Sequence, residues 1–159
     1  MIALVDYGMG NLRSVEKALA RVGADVRIVS DAAGVLAADA VVLPGVGAFG
    51  DCMANLAERG VAAPIREVVN AGKPFLGICL GFQGLFDSSE EAPGVPGLGL
   101  FAGSVPRFQV NGKESGSGLS AATGRGTKPP PTFPKLKVPH MGWNELRVKR
   151  ADCPLLAGR

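Results

Sequence analysis

Short apolar runs alternate with helical stretches through the first ninety residues, and this alternation restricts the fold more than any other feature of the sequence. The apolar runs predict strands at 2–6, 25–29, 40–44 and 74–78. The stretches between them predict helices at 11–22, 31–38, 51–59 and 62–71. Strands that are connected through helices form parallel sheets with both faces covered. The sequence therefore predicts an α/β, doubly wound, mostly parallel sheet of the flavodoxin-like type.

The pattern changes after residue 91. Residues 92–103 are rich in turn-forming residues, and 104–110 predict a strand. In the stretch 111–135, 15 of 25 residues are Gly, Pro, Ser or Thr, which is too polar and too flexible to order itself by burial. We expect one domain over 1–159 with a low-complexity, mobile insertion at about 111–135. Residues 136–149 return to a strand-like sequence.

Composition and charge exclude several classes of function. The three cysteines are odd in number and form no C-x-x-C pair, which favours a reducing, cytoplasmic compartment and predicts no metal site. Asp6 interrupts the first apolar run, so we expect neither a signal peptide nor a membrane partner. Residues 1–112 carry a net charge of −3 and residues 113–159 one of +6, but the basic side chains are scattered and nearly without aromatics. We therefore expect no nucleic-acid partner.

Cys79 lies in the stretch G-I-C-L-G, between a predicted strand and a predicted helix that starts near Leu80. Strand, G-x-C-x-G and helix together are the cysteine version of a nucleophile elbow, in which a strained turn exposes the nucleophile. The helix N-terminus favours the thiolate, and the backbone N–H of Leu80 is placed to donate to an oxyanion. The alternative is that Cys79 is a small buried residue between two packing glycines.

A second glycine-rich loop, P-G-V-G-A-F-G-D at 44–51, follows another buried strand. In doubly wound sheets the loops at the carboxyl ends of strands line the ligand crevice. A turn of this composition exposes backbone N–H groups and could complete an oxyanion hole beside the elbow. The alternative is an ordinary connection between a strand and a helix. Cys52, just after this loop, is interpreted as a packing residue.

Four segments carry a resemblance to a known family; they are D-Y-G-M-G-N-L-R-S-V (6–15), L-P-G-V-G-A-F-G-D-C-M (43–53), G-K-P-F-L-G-I-C-L-G-F-Q-G-L-F-D-S-S-E-E (72–91) and V-P-H-M-G-W-N-E-L (138–146). They resemble the class I glutamine amidotransferases and, within them, the glutaminase subunits of imidazole glycerol phosphate synthase from histidine biosynthesis. The resemblance covers essentially the whole chain except 111–135.

The resemblance implies a glutaminase that needs no cofactor. Cys79 would attack the carboxamide of glutamine, and the N–H groups of Gly47 and Leu80 would hold the tetrahedral oxyanion. Gly45, Val46 and Gln83 would bind the substrate. Glutamate and ammonia would be the products.

The resemblance also implies a heterodimer. The ammonia would pass through a channel to a cyclase subunit with a (β/α)8 barrel. The residues expected at this partner interface are Asn11, His140, Met141, Gly142, Trp143 and Asn144.

The family completes its catalytic triad with a His-x-Glu pair near the C-terminus, which this sequence lacks. Its single histidine, His140, matches a different family position and is a candidate base without an orienting carboxylate. We therefore expect a C-terminally incomplete chain without the last strands, and doubtful activity. Three alternatives stay open: an inert remnant that only docks on the cyclase, the glutaminase of another class I amidotransferase, or a stress protein with an oxidisable elbow cysteine.

Overall fold

The computed structural model describes residues 1–107 and the single positions 145, 147 and 152. The chain divides into two compact units, Met1–Arg107 and Phe108–Arg159, and the first holds all the elements described below. In chain order they are β1 (Ile2–Val5), α1 (Leu12–Arg21), β2 (Val26–Val29), α2 (Ala32–Ala37), β3 (Ala40–Leu43), α3 (Phe49–Glu58), α4 (Ala62–Asn70), β4 (Phe75–Gly77), α5 (Leu80–Gln83), β5 (Phe86–Ser89) and β6 (Phe101–Val105).

The first four strands form one parallel sheet in the order β2-β1-β3-β4, which confirms the predicted fold class. The chain runs from β1 outward to β2 and then crosses back to the other side of β1. The strand order thus reverses between β1 and β3, and such a switch point is where open α/β sheets form their ligand crevice. The residues that follow β1 and β3 are therefore the first place to look for a site.

The described helices are divided unequally between the two faces of this sheet. The connection from β1 to β2 runs along the sheet in the opposite direction from the connections that lead to β3 and β4. Crossovers between parallel strands are right-handed, so connections that run in opposite directions place their helices on opposite faces. α1 therefore lies on one face, and α2, α3 and α4 lie on the other. The second face carries the main core, in which Val5 and Leu43 pack with Val35 of α2 and Leu56 of α3, all of them fully buried. On the α1 side, Leu4 is also fully buried.

Local sequence explains the ends of the helices. The Asn11 side chain accepts a hydrogen bond from the Ser14 N–H at 3.3 Å, and the Asp31 side chain accepts one from the Gly34 N–H at 2.7 Å. Both are N-caps that satisfy an otherwise unpaired donor of the first turn. Gly72 follows the end of α4 with a φ of +76°, a conformation that favours glycine. The predicted start at Asp31 and stop at Gly72 are confirmed.

Two sequence predictions after Cys79 differ from the structure in extent. The helix predicted to start near Leu80 does start there as α5, but it ends at Gln83 and β5 begins at Phe86. The strand predicted at 104–110 is β6, which starts earlier and ends at Val105. β5 pairs with β6 in a separate two-stranded sheet, and the Gly97 N–H also donates to the Asp87 carbonyl at 2.8 Å. Pairing with a distant segment overrides the local helical pattern here.

Several predictions fall outside the described residues. They are the low-complexity insertion at 111–135, the strand-like stretch 136–149 apart from Glu145 and Arg147, and the interface residues 140–144. The prediction of a single domain over 1–159 is untested and stays a prediction. Within the described part of the chain, no helix has the length and apolar character to cross a bilayer.

Candidate active site

Three loops meet at the carboxyl edge of the parallel sheet. They follow β1 and β3, which lie on the two sides of the switch point, and β4, which lies next to β3. A Cβ atom built on Gly10, in the first loop, would lie 3.1 Å from the Pro44 Cβ in the second. A Cβ atom on Gly45, in the second loop, would lie 2.6 Å from the nitrogen of Gly81, in α5 directly after the third loop. The glycines thus allow three backbone segments to pack directly on each other.

Cys79 occupies a strained turn in the third loop. Its φ of +56° and ψ of −116° make it the one non-glycine residue with positive φ in the described part of the chain. Such a conformation costs on the order of 1–3 kcal/mol and persists only where the surroundings enforce it. The Cys79 side chain is exposed. This geometry is that of an elbow, and it excludes the alternative of a small buried packing residue.

The two glycines that flank Cys79 enforce the turn by close packing. A Cβ atom on Gly77 would lie 2.6 Å from the Phe82 Cα, and one on Gly81 would lie 2.0 Å from the Leu43 carbonyl oxygen. Both distances are shorter than any real contact of a Cβ atom. The G-x-C-x-G spacing therefore reflects a steric requirement. Gly77 lets the chain fold back onto α5, and Gly81 lets α5 pack against the end of β3.

The loop after β3 supplies backbone donors beside this elbow. Gly45 is buried against Leu80 and Gly81, whereas Val46 and Gly47 are exposed. Gly47 has a φ of +99°, which favours glycine. In the part of the chain that the structure describes, the N–H groups of Gly47 and Leu80 donate no backbone hydrogen bond. N–H groups without a partner among the described residues, one in the loop after β3 and one at the first residue of α5, are the type of donor that an oxyanion hole requires.

The helix after Cys79 is shorter than predicted. α5 is a single turn, in which the N–H groups of Phe82 and Gln83 donate to the Cys79 carbonyl at 3.0 and 3.1 Å. One turn aligns few peptide dipoles, so it contributes less positive charge at Cys79 than a full helix would. Gln83, which the resemblance implies as a substrate-binding residue, is half-buried and lies one turn after the cysteine.

Cys52, in α3, is fully buried, which confirms its interpretation as a packing residue. Burial raises the pKa of its thiol. The Cys52 Sγ atom lies 3.4 Å from the Tyr7 hydroxyl. The two cysteines of the described residues are free thiols in opposite environments.

Tyr7 is a residue of the site that sequence reasoning missed. It lies two residues after β1, is 1% exposed, and donates its hydroxyl proton to the Pro44 carbonyl oxygen at 2.8 Å. The available signal was a lone tyrosine between a buried strand and a glycine-rich loop. A buried phenol needs a hydrogen-bond partner, and the nearest polar groups at the end of a strand are those of a neighbouring loop.

The structure does not bring all the predicted residues together. Asn11 is exposed and its side-chain oxygen is used to cap α1. His140 and the rest of the predicted interface set lie outside the described residues. The elbow, the loop after β3 and Gln83 form the candidate active site.

Comparison with known proteins identifies the family of the chain. The family model described as glutamine amidotransferase class-I matches residues 3–158, and the chain belongs to this family. A solved structure titled as the crystal structure of a glutamine amidotransferase superimposes with a TM-score of 0.59 at 25% identity, covering 69% of this chain and 60% of the other.

Within the family, the chain is similar to proteins named imidazole glycerol phosphate synthase subunit HisH. It is 45% identical to the one from Bacillus cereus, covering 99% of this chain and 64% of that protein. It is 48% identical to the one from Thermosynechococcus vestitus, covering 97% of this chain and 63% of that protein. For the protein from Syntrophotalea carbinolica the identity is 46%, with 99% and 68% covered. The chain thus spans roughly two thirds of the length of these relatives.

Proposed function

We propose that the chain is the glutaminase part of an imidazole glycerol phosphate synthase, acting in the cytoplasm in histidine biosynthesis. The observation that carries the proposal is the exposed Cys79 at a positive φ, flanked by the loop that contains Gly45 and Gly47. The HisH relatives, 45% to 48% identical over nearly the whole chain, support the choice of this synthase within the family.

The proposed chemistry is acyl transfer. The Cys79 thiolate adds to the side-chain carboxamide carbon of glutamine, and the N–H groups of Gly47 and Leu80 stabilise the oxyanion. Collapse of this intermediate breaks the C–N bond while the leaving nitrogen takes a proton from water, which releases ammonia and leaves a glutamyl thioester. Water then cleaves the thioester to glutamate and frees the thiol. Gly45, Val46 and Gln83 are the proposed substrate contacts, and no cofactor is required.

The proposed partner is a cyclase subunit with a (β/α)8 barrel, which would receive the ammonia through a channel. Asn11 is the one described residue of the predicted interface, and it lies next to Gly10, which packs on Pro44 of the site. This proximity supports a partner that binds close to the carboxyl edge of the sheet. Residues 140–144 are proposed for the same interface.

Release of ammonia and glutamate from glutamine, measured with the cyclase subunit present, tests the proposal. Cys79→Ala should lower the rate by more than about 10⁴-fold, because loss of a nucleophile removes the covalent route. Cys52→Ala is the matched control and should keep the rate within about twofold, since this thiol is buried away from solvent. Gel filtration of the same mixtures reports whether the two subunits bind.

The outcomes separate the proposal from its main alternative. Unchanged ammonia release from Cys79→Ala would refute Cys79 as the nucleophile. Binding to the cyclase without any ammonia release from the unmutated chain would instead favour the docking-only alternative. Binding to the synthase of another pathway in preference to the cyclase would place the chain elsewhere among the class I enzymes.

A further inference from the structure

The Tyr7 side chain connects three elements at the candidate active site. Tyr7 follows β1, and its hydroxyl donates a proton to the Pro44 carbonyl after β3 and contacts Cys52 in α3. Because a phenol has one proton and Pro44 offers only an acceptor, the Cys52 thiol is the donor in the second contact. Burial raises the pKa of Tyr7 above its ordinary value, so the phenol keeps this proton at neutral pH.

The position of the hydroxyl is tied to the loop after β3. A Cβ atom on Gly45 would lie 2.9 Å from the Tyr7 oxygen and 2.8 Å from the Leu80 Cβ. The Tyr7 hydroxyl and Leu80 therefore both border the space that a side chain on Gly45 would need, and that space has room for no side chain. The phenol thus lies where this loop packs against the elbow.

The hydrogen bond also fixes a peptide plane. The Pro44 carbonyl and the Gly45 N–H belong to one rigid peptide unit, so holding the carbonyl fixes the direction in which the chain enters the next residues. Those residues are Gly45, Val46 and Gly47, and glycines have the greatest backbone freedom. With the orientation of its first peptide fixed, this flexible segment can present an N–H group in one direction.

We propose that Tyr7 is a positioning residue, whose hydroxyl holds the loop 44–47 against the elbow so that the loop can stabilise the oxyanion formed on Cys79. This inference rests on the proposed function. Tyr7 touches neither substrate nor the reacting sulfur in this scheme; it acts through the Pro44–Gly45 peptide.

The test compares two reagents that differ in their need for oxyanion stabilisation. A chloromethyl ketone made from glutamine, with the ketone in place of the carboxamide, reacts when the Cys79 sulfur adds to the carbonyl carbon and an oxyanion forms. The sulfur then moves to the chloromethyl carbon and displaces chloride, the bond from sulfur to the carbonyl carbon breaks, the carbonyl re-forms and a thioether remains. Iodoacetamide alkylates the same sulfur by direct displacement of iodide, with no carbonyl addition. In both reactions the thiol proton goes to solvent. Mass spectrometry of the Cys79 peptide measures each rate, and neither rate requires turnover.

Tyr7→Phe keeps the ring and removes only the hydroxyl. We expect it to lower the maximal rate at which the ketone inactivates the protein about tenfold, which corresponds to the net free energy of one neutral hydrogen bond. The concentration of ketone giving half-maximal rate and the iodoacetamide rate should stay within about twofold. Cys52→Ala removes the other partner of the same hydroxyl and should leave both rates unchanged. A thermal melt of each variant reports whether it is folded.

Each result has a defined meaning. Equal ketone rates for Tyr7→Phe and the unmutated chain would overturn the positioning role and leave the proposed function intact. A parallel fall in the ketone and iodoacetamide rates would also overturn it, because Tyr7 would then support only the fold of the elbow. If the unmutated chain reacts no faster with the glutamine-derived ketone than with chloroacetone, glutamine recognition itself is absent and the proposed function fails.

Discussion

The regions around Cys79 and Cys52 contain the same side chain in opposite settings. Cys79 is exposed directly before a one-turn helix and lies between two glycines that no other residue could replace without a clash. Cys52 is fully buried in the middle of α3, a regular helix of ten residues, with the Tyr7 hydroxyl beside it. The backbone conformation, rather than the residue type, separates a candidate nucleophile from a packing residue.

The contrast also shows how strain is supported. The positive φ of Cys79 is unfavourable by itself, and it is held by contacts of the neighbouring glycines with β3 and α5. Cys52 has no such strain, and its surroundings stabilise it through burial and a hydrogen bond with Tyr7. The elbow is therefore expected to fail when its packing is altered, whereas the Cys52 region should tolerate small changes.

The largest expected difference is in thiol reactivity. Iodoacetamide should alkylate Cys79 on the order of 10²- to 10³-fold faster than Cys52, because a buried thiol reacts only through local opening that costs several kcal/mol. The raised pKa of Cys52 reduces its thiolate fraction further. Peptide mass spectrometry over a time course under native conditions measures both rates. Comparable rates would show that the two environments are not distinct in solution.

The next largest effect is expected from alanine at two helical glycines. Gly81→Ala places a Cβ atom against the Leu43 backbone, at 2.0 Å in the present geometry, and should lower the free energy of unfolding by about 2–3 kcal/mol. Gly50→Ala is the matched control, since its nearest neighbour would be the Ala92 Cβ at 3.7 Å. It should raise the free energy of unfolding by about 0.5–1 kcal/mol through helix propensity. Urea titrations measure both, and equal changes would contradict the steric account of the elbow.

The smallest effect is expected from removal of the buried thiol. Cys52→Ala should lower the free energy of unfolding by about 1 kcal/mol, because it deletes one buried atom and one hydrogen bond to Tyr7. Cys79→Ala, at an exposed position, should change it by less than about 0.5 kcal/mol. Thermal melts of the two variants compare the two sites directly. A larger loss for Cys79→Ala would mean that its side chain supports the fold.

Much of the fold could be predicted because the relevant signals are local. The strands at 2–6 and 40–44 are apolar runs, and Asp31 and Gly72 mark helix ends through their own backbone chemistry. The strand at Phe86–Ser89 could not be predicted, since its residues F-D-S-S form no apolar run and it is recognised as a strand only through its pairing with β6. The same limit applies to α5, which ends where that pairing begins.

The sequence by itself determined the parallel sheet, the elbow at Cys79 and the glycine-rich loop after β3, since periodicity and glycine spacing encode local conformation. Only the tertiary structure decided that Cys79 is exposed while Cys52 is buried, that Gly81 must be glycine because of Leu43, and that Tyr7 reaches the Pro44 carbonyl. Each of these depends on how segments far apart in the chain approach each other in space. That approach is set by the strand order β2-β1-β3-β4, which brings the three loops to one edge.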